Sequence, residues 1–331
     1  MAPSTSDVTQ GQPIYFLAPS LPSQTQLRAE LPASIDSYVI YDFIPPETSD
    51  ALFCELLNNE IKWGTMYHHG GPVPRLVCIQ SQPDDAGWTP LYRHPTDPDT
   101  SSLTISPQFS KSVNFISHRI QLQVKHPVNH VLIQLYRNGE DFISEHADKT
   151  VDIVPGSKIV NFSLGAERRM VLREKKGRRM DSARKASPVS RTSQQVSLKH
   201  GSVLVMGLGT NRFWTHGIKP DKRPPAQKTA DQKKFGGVRI SLTFRHIGTF
   251  VYPDIHRPLL LYGVGASTKN RDNPASVVPV YQEDEVGWRQ AVELLNAFAD
   301  ENRLAAEFDW NASYGNGYDV VALPAAINHR T

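Results

Sequence analysis

Between Val131 and Phe244 the chain passes through five short segments rich in Val, Ile, Leu and Phe: Val131 to Tyr136, Lys158 to Leu164, Met170 to Arg173, Ser202 to Leu208 and Val238 to Phe244. Each is too short for an independent helix and is bounded by turn-forming residues, the pattern of antiparallel strands. Val238 to Arg245 alternates cleanly, putting Arg239, Ser241, Thr243 and Arg245 on one side and Ile240, Leu242 and Phe244 on the other. Strands of this kind bury one face each, so the expected architecture is a β-sandwich or jelly roll, mainly β with flanking helices (α+β).

Helices are expected at the edges of that core. One follows Pro45-Pro46 and carries Leu52, Leu56 and Leu57. A second, Phe109 to Val124, has Val113, Ile116, Ile120 and Val124 on one face, and a third uses Trp288, Val292, Leu295 and Ala299 as its packing stripe. Further strands are expected at Tyr38 to Ile44 and Pro258 to Tyr262. With 25 Pro and 21 Gly in 331 residues, loops are abundant and a long helical bundle is excluded.

Residues 1–35 are rich in Ser, Thr, Pro and Gln and read as a disordered leader. One folded domain is expected over 36–250, with basic exposed inserts near 177–195 and 219–234, and an acidic extension over 251–331. Cys54 and Cys78 are too few and too far apart for a disulfide framework or a cysteine-based zinc site. A reducing, intracellular setting follows, nucleus or cytoplasm, and no apolar run approaches the roughly 18 residues of a membrane span. The net charge of +3 conceals an uneven distribution: Arg168 to Arg239 holds 19 Lys+Arg against four acids, a local +15 that leaves −12 elsewhere.

The chemistry concentrates in Asn129 to Asp148, which ends in His146-x-Asp148, the one such pair among 12 histidines. Residues two apart on a strand project from the same side, so one imidazole and one carboxylate can converge on an ion. His216, just beyond the strand Ser202 to Leu208, supplies a third candidate ligand. Two histidines and a carboxylate on one face of an octahedron leave three positions open, as in non-haem Fe(II) oxygenases, although zinc hydrolysis uses similar ligands. Arg239 and Arg245, six apart on one strand face, call for internal anions, because a guanidinium inside a sheet is costly unless paired.

The order HxD, His, then Arg-x5-Arg resembles the AlkB family of Fe(II)- and 2-oxoglutarate-dependent dioxygenases, over roughly Tyr38 to Phe250. Tyr136, ten residues before His146, Lys158-Ile-Val-Asn-Phe-Ser-Leu-Gly-Ala and Leu242-Thr-Phe-Arg245 extend the likeness. The resemblance implies a double-stranded β-helix in which His146, Asp148 and His216 hold iron, Arg239 grips the distal carboxylate of 2-oxoglutarate and Tyr136 hydrogen-bonds it. It also implies a catalytic role for Arg245, near substrate and Asp148. Gln134 stands where the family keeps the Asn of Asn-x-Tyr; its amide has the same groups on a longer stem, so it remains a cosubstrate candidate. Oxidative decarboxylation of 2-oxoglutarate with O2 would drive hydroxylation of a C–H bond, and a hydroxylated carbon attached to nitrogen collapses to aldehyde and free amine.

Arg75 and Tyr92 fall loosely where AlkB-like enzymes build a lid over an extruded base, and are the candidate substrate residues. The expected substrate is an N-alkylated nucleobase in DNA or RNA, with Arg168 to Lys185 available to follow a phosphate backbone. Tyr67, His68 and His69 would form a hairpin tip probing the base stack. Two alternatives stand: the same iron chemistry on a small-molecule metabolite, and a catalytically silent nucleic-acid-binding protein. No membrane partner is expected, and the chain should be a monomer. Gly263 to Lys269 lacks the spacing of a phosphate loop and reads as a turn.

Overall fold

A computed structural model describes residues 28–30, 36–68, 71–94, 108–175, 191–252, 259–280 and 285–323. In chain order, β1 (Arg28–Glu30) and β2 (Ser37–Ile40) lead into helix α1 (Pro46–Glu55), which continues as a wider turn over Leu56–Glu60. A hairpin follows, β3 (Gly64–His68) and β4 (Gly71–Ser81), then β5 (Thr89–Pro90) and helix α2 (Lys111–Val124). The central strands are β6 (His130–Tyr136), β7 (Ile143–His146), β8 (Lys158–Gly165), β9 (Arg168–Glu174), β10 (Ser193–Leu198) and β11 (Ser202–Gly207). Helix α3 (Leu208–Phe213), β12 (Trp214–Ile218), short helix α4 (Ala230–Lys233) and β13 (Arg239–Arg245) complete the core. Beyond it come β14 (Thr249–Tyr252), β15 (Leu260–Gly263), β16 (Ala275–Ser276), helix α5 (Val286–Arg303) and helix α6 (Trp310–Tyr314).

The pairings between these strands are antiparallel. Eight strands form the major sheet in the order β1-β2-β11-β8-β13-β6-β4-β3, and β10-β9-β12-β7 form the opposing sheet. A third sheet, β16-β15-β14-β5, lies against the C-terminal region. Strict alternation divides the major sheet into two faces. Val131, Ile133 and Leu135 of β6, Val160, Phe162 and Leu164 of β8, and Ile240, Leu242 and Phe244 of β13 join one cluster with Leu52, Phe53, Ile116 and Ile120 of α1 and α2. Burying one side chain such as Phe162 there contributes about 1.5–3 kcal/mol. The other face meets the opposing sheet through Tyr136, Leu204, Met170, Leu172, Trp214 and Ile218. Two facing antiparallel sheets with helices outside one of them make the expected jelly roll.

Several elements differ from the sequence reading. Strand β2, expected over Tyr38 to Ile44, stops at Ile40, because Asp42 turns the backbone into the left-handed region (φ 51°). Strand β10 lies partly in what reads as an exposed insert; only Val196 and Leu198 of its six residues are buried, too weak an apolar signal to reveal a strand. Segment 219–234 is not bare loop, since Thr229 and Gln232 close a reciprocal capping box on α4. In α5 the buried positions are Gly287, Ala291, Leu294, Ala297, Phe298 and Glu301, so the Trp288 stripe has the right period and the wrong phase. Segment 263–269 is a turn as expected, with Lys269 donating to the Val264 and Ala266 carbonyls. The leader outside 28–30, most of the 177–195 insert, and His69 with the side chain of His68 lie outside the described residues.

Candidate functional site

The register of the opposing sheet brings the two candidate histidines together. His216 of β12 sits directly across from His146 of β7, and their ring centroids are 4.4 Å apart. Asp148, two residues beyond His146, points one carboxylate oxygen at both: Oδ1 is 3.8 Å from His146 Nε2 and 3.9 Å from His216 Nε2. One ligand atom from each residue lies within 4.8 Å of the others.

The surroundings fix which atoms are free to bind. His146 Nδ1 meets the Ser144 carbonyl at 2.8 Å; a carbonyl only accepts, so Nδ1 carries the proton and Nε2 keeps its lone pair. Burial, reinforced by His146, pushes His216 down to about 3, so it is neutral at physiological pH. Burial also lowers His146, more than Asp148 raises it. For Asp148 burial works the other way, but Arg245 and the two histidines outweigh it and hold the carboxyl at about 2. Arg245 grips Asp148 Oδ2 through Nε at 3.0 Å and Nη2 at 2.9 Å, leaving Oδ1 to the histidines. Asn211 braces the same residue, accepting from the Asp148 amide (2.8 Å) and donating to its carbonyl (2.9 Å).

Two neutral imidazoles and one ionised carboxylate suit a divalent ion of the iron type, whose bonds of about 2 Å span donors at this separation. His216 Nδ1 is buried with no hydrogen-bond partner among the described residues.

Above the triad opens a cavity of about 690 Å³ between the two sheets. Gln134, Tyr136, Asn161, Ser241, Thr243 and Arg245 give it polar positions, while Met66, Val73, Leu132, Leu204, Met206 and Phe298 make much of the rest apolar. Arg239 is fully buried behind the lining residues Tyr136, Asn161 and Ser241. Its Nη2 donates to Ser163 (2.9 Å), Asn161 (3.3 Å) and Ser241 (3.3 Å), and its guanidinium lies 5.1 Å from the centre of the Tyr136 ring. Nε and Nη1 have no partner among the described residues, and burial lowers the group to about 10. A guanidinium so placed calls for an anion, and a carboxylate would satisfy the two orphaned donors. The Tyr136 hydroxyl donates to Gln134 Oε1 at 2.9 Å, so the longer glutamine stem still engages the tyrosine.

Both substrate candidates line the cavity. Arg75 is buried and donates through Nη1 to the Phe142 carbonyl at 3.1 Å, with Nε unpartnered. Tyr92 lies under Arg245, 4.3 Å from guanidinium to ring centre, and its hydroxyl accepts from the Lys149 amide at 3.1 Å. Arg168 is not a surface phosphate contact: it is buried and donates to the carbonyls of Asn138, Asp141 and Lys219. Lys175 likewise turns inward, to the Glu301 carbonyl at 2.7 Å. Asn161 and Ser163 were missed by the sequence reading, although polar residues alternating within an apolar strand were the same signal that exposed Arg239 and Ser241.

The model of the 2OG-Fe(II) oxygenase superfamily matches residues 36–245. DNA oxidative demethylase ALKBH2 of Homo sapiens is 32% identical over 176 residues, covering 53% of this chain and 57% of that protein. ALKBH2 of Arabidopsis thaliana is 35% identical over 127 residues, 35% of this chain and 37% of that protein. Alpha-ketoglutarate-dependent dioxygenase alkB homolog 3 of Homo sapiens is 27% identical over 151 residues, 45% and 46% of the two chains. The chain thus spans about half the length of the curated relatives it matches. A solved structure of OsALKBH1 superposes with a TM-score of 0.43 at 15% identity, over 66% of this chain and 100% of that one. Among the described residues no helix is long and apolar enough to cross a membrane. By the match over its core, and by its curated relatives, the chain belongs to the 2OG-Fe(II) oxygenase superfamily and is AlkB-like.

Proposed function

We propose that this chain is an Fe(II)- and 2-oxoglutarate-dependent dioxygenase that removes alkyl groups from nucleobase nitrogens in DNA or RNA. The observation that carries the reading is the convergence of His146, Asp148 and His216 on a cavity lined by Tyr136, Asn161 and Ser241, against which the buried Arg239 packs with two unsatisfied donors. In this reading the triad holds iron, Arg239 receives the distal carboxylate of 2-oxoglutarate, and Tyr136 with Gln134 orients it. Arg245 keeps Asp148 ionised and aimed. Arg75 and Tyr92 bound the substrate space, and 36–250 is the catalytic unit, with 251–331 added to it. Bound iron would supply activation of O2 coupled to decarboxylation of 2-oxoglutarate. For a methylated base nitrogen, 2-oxoglutarate, O2 and the N-methyl base become succinate, CO2, formaldehyde and the base with hydrogen restored on that nitrogen. One oxygen atom goes to succinate and one to the aldehyde. The names borne by the ALKBH2 relatives support DNA as a substrate.

A second reading keeps the reaction and replaces the nucleobase by an apolar metabolite. It is favoured by the apolar lining and by the inward turn of Arg168, Lys175 and Arg239, which removes part of the local +15 from the surface. Incubation with Fe(II), 2-oxoglutarate and N-methylated oligonucleotides, single- and double-stranded, separates the two. Formaldehyde release from oligonucleotide is the expected result. Succinate formation driven by small apolar substrates but by no oligonucleotide would favour the metabolite.

A further inference from the structure

Helix α5 lies outside the segment 36–245 that matches the family, yet it touches the candidate metal loop at Ala147, Lys149 and Thr150. Strand β7 ends at His146, so the amide of Ala147, a residue only 1% exposed, must find an acceptor beyond the ladder. It donates to Asn302 Oδ1 at 2.7 Å. Two residues on, Lys149 Nζ donates to the Phe298 carbonyl at 2.9 Å. The buried carboxylate of Glu301 accepts from the Thr150 amide and hydroxyl, and from the Tyr314 hydroxyl at 2.8 Å. Leu295, Phe298, Ala299 and Asn302, spaced i, i+3, i+4 and i+7, present one face of α5 to the cavity.

We propose that Asn302 is a positioning residue for the metal centre. The peptide it holds joins His146 to Ala147, the first of the two peptides between His146 and Asp148, and rotation of that peptide swings the two ligands relative to one another. Asn211 grips Asp148 from one side and Asn302 grips Ala147 from the other, so the turn is held at both of its consecutive peptides. The inference rests on the reading of His146, Asp148 and His216 as an ion site.

The test is calorimetric titration of the full chain with Co(II) alone, beside thermal melting without metal. Asn302→Leu keeps the bulk and removes the acceptor; Asn302→Asp keeps the acceptor. Loss of an outer hydrogen bond to a ligand loop weakens metal binding about 10-fold or more, so the leucine variant should lose about that much affinity and the aspartate variant should recover most of it. If Asn302→Leu fails to fold, Asn302→Ser, too short to reach the Ala147 amide, makes the same comparison. Equal Co(II) affinity in all variants, with only the melting temperature changed, would overturn the positioning role. Absence of Co(II) binding by the unsubstituted chain would instead overturn the reading of the triad, and this inference with it.

Discussion

Asp148 divides its two oxygens between two tasks: Oδ2 is spent on Arg245, and Oδ1 is turned toward His146 and His216. Burial of this cluster sets the pH behaviour of the metal-free protein. An imidazole in the unfolded chain titrates near 6.5, whereas His216 in the fold is depressed to about 3. Between those values the unfolded state binds the extra proton, so the stability this site contributes is complete above about 6.5 and is lost as pH falls toward 3. Asp148, depressed to about 2, adds a loss of the same sign below the ordinary carboxylate range. The melting temperature of metal-free protein should therefore fall between pH 7.5 and 5, less steeply in His216→Gln. A slope unchanged by that substitution would contradict the assignment. At this scale the sequence was informative wherever a side chain's neighbours follow from strand alternation, as for Arg239 and Arg245 on β13. Asn302 had no such signal, being 155 residues from its partner Ala147.

Elements were legible when large apolar residues did the packing. Helix α2 buries Val113, Ile116, Ile120 and Val124, the stripe read from periodicity. Helix α5 does not follow that rule, because its inner face is built from Gly287, Ala291 and Ala297, which allow close approach, and from Glu301, whose carboxylate is satisfied by hydrogen bonds. The more conspicuous Trp288 and Val292 are only half-buried, and Leu295 with Ala299 edges the cavity. Leu294 is fully buried in the cluster around Phe298 and Tyr314. Leu294→Ala should cost about 2–5 kcal/mol in denaturant unfolding, and Trp288→Ala distinctly less. The reverse order would restore the phase expected from hydrophobicity.

Across the whole molecule one buried ion pair ties the core to the C-terminal region. Arg93 and Asp152 have side chains with no exposure and meet at 2.7 Å, and Arg93 also donates to the carbonyls of Gly265, Tyr318 and Val320. Arg93→Met strands a buried carboxylate and three carbonyls, and should destabilise the protein by about 3–5 kcal/mol, measured by equilibrium unfolding; a change under about 1 kcal/mol, typical of a surface pair, would show that the pair does not join these regions. Total charge was the least informative whole-chain property, since Arg168, Lys175 and Arg239 in the most basic stretch are internal. The jelly roll itself was legible because alternation and short strand length leave few other ways to bury these residues.

The most direct test of the proposed chemistry is the ratio of succinate formed to alkyl groups removed, measured with Fe(II), 2-oxoglutarate and an N-methylated oligonucleotide. The expected result is one succinate per methyl group lost, with both products absent in His146→Ala. Removal of the methyl group by His146→Ala, or succinate that accumulates while the oligonucleotide stays methylated, would contradict it.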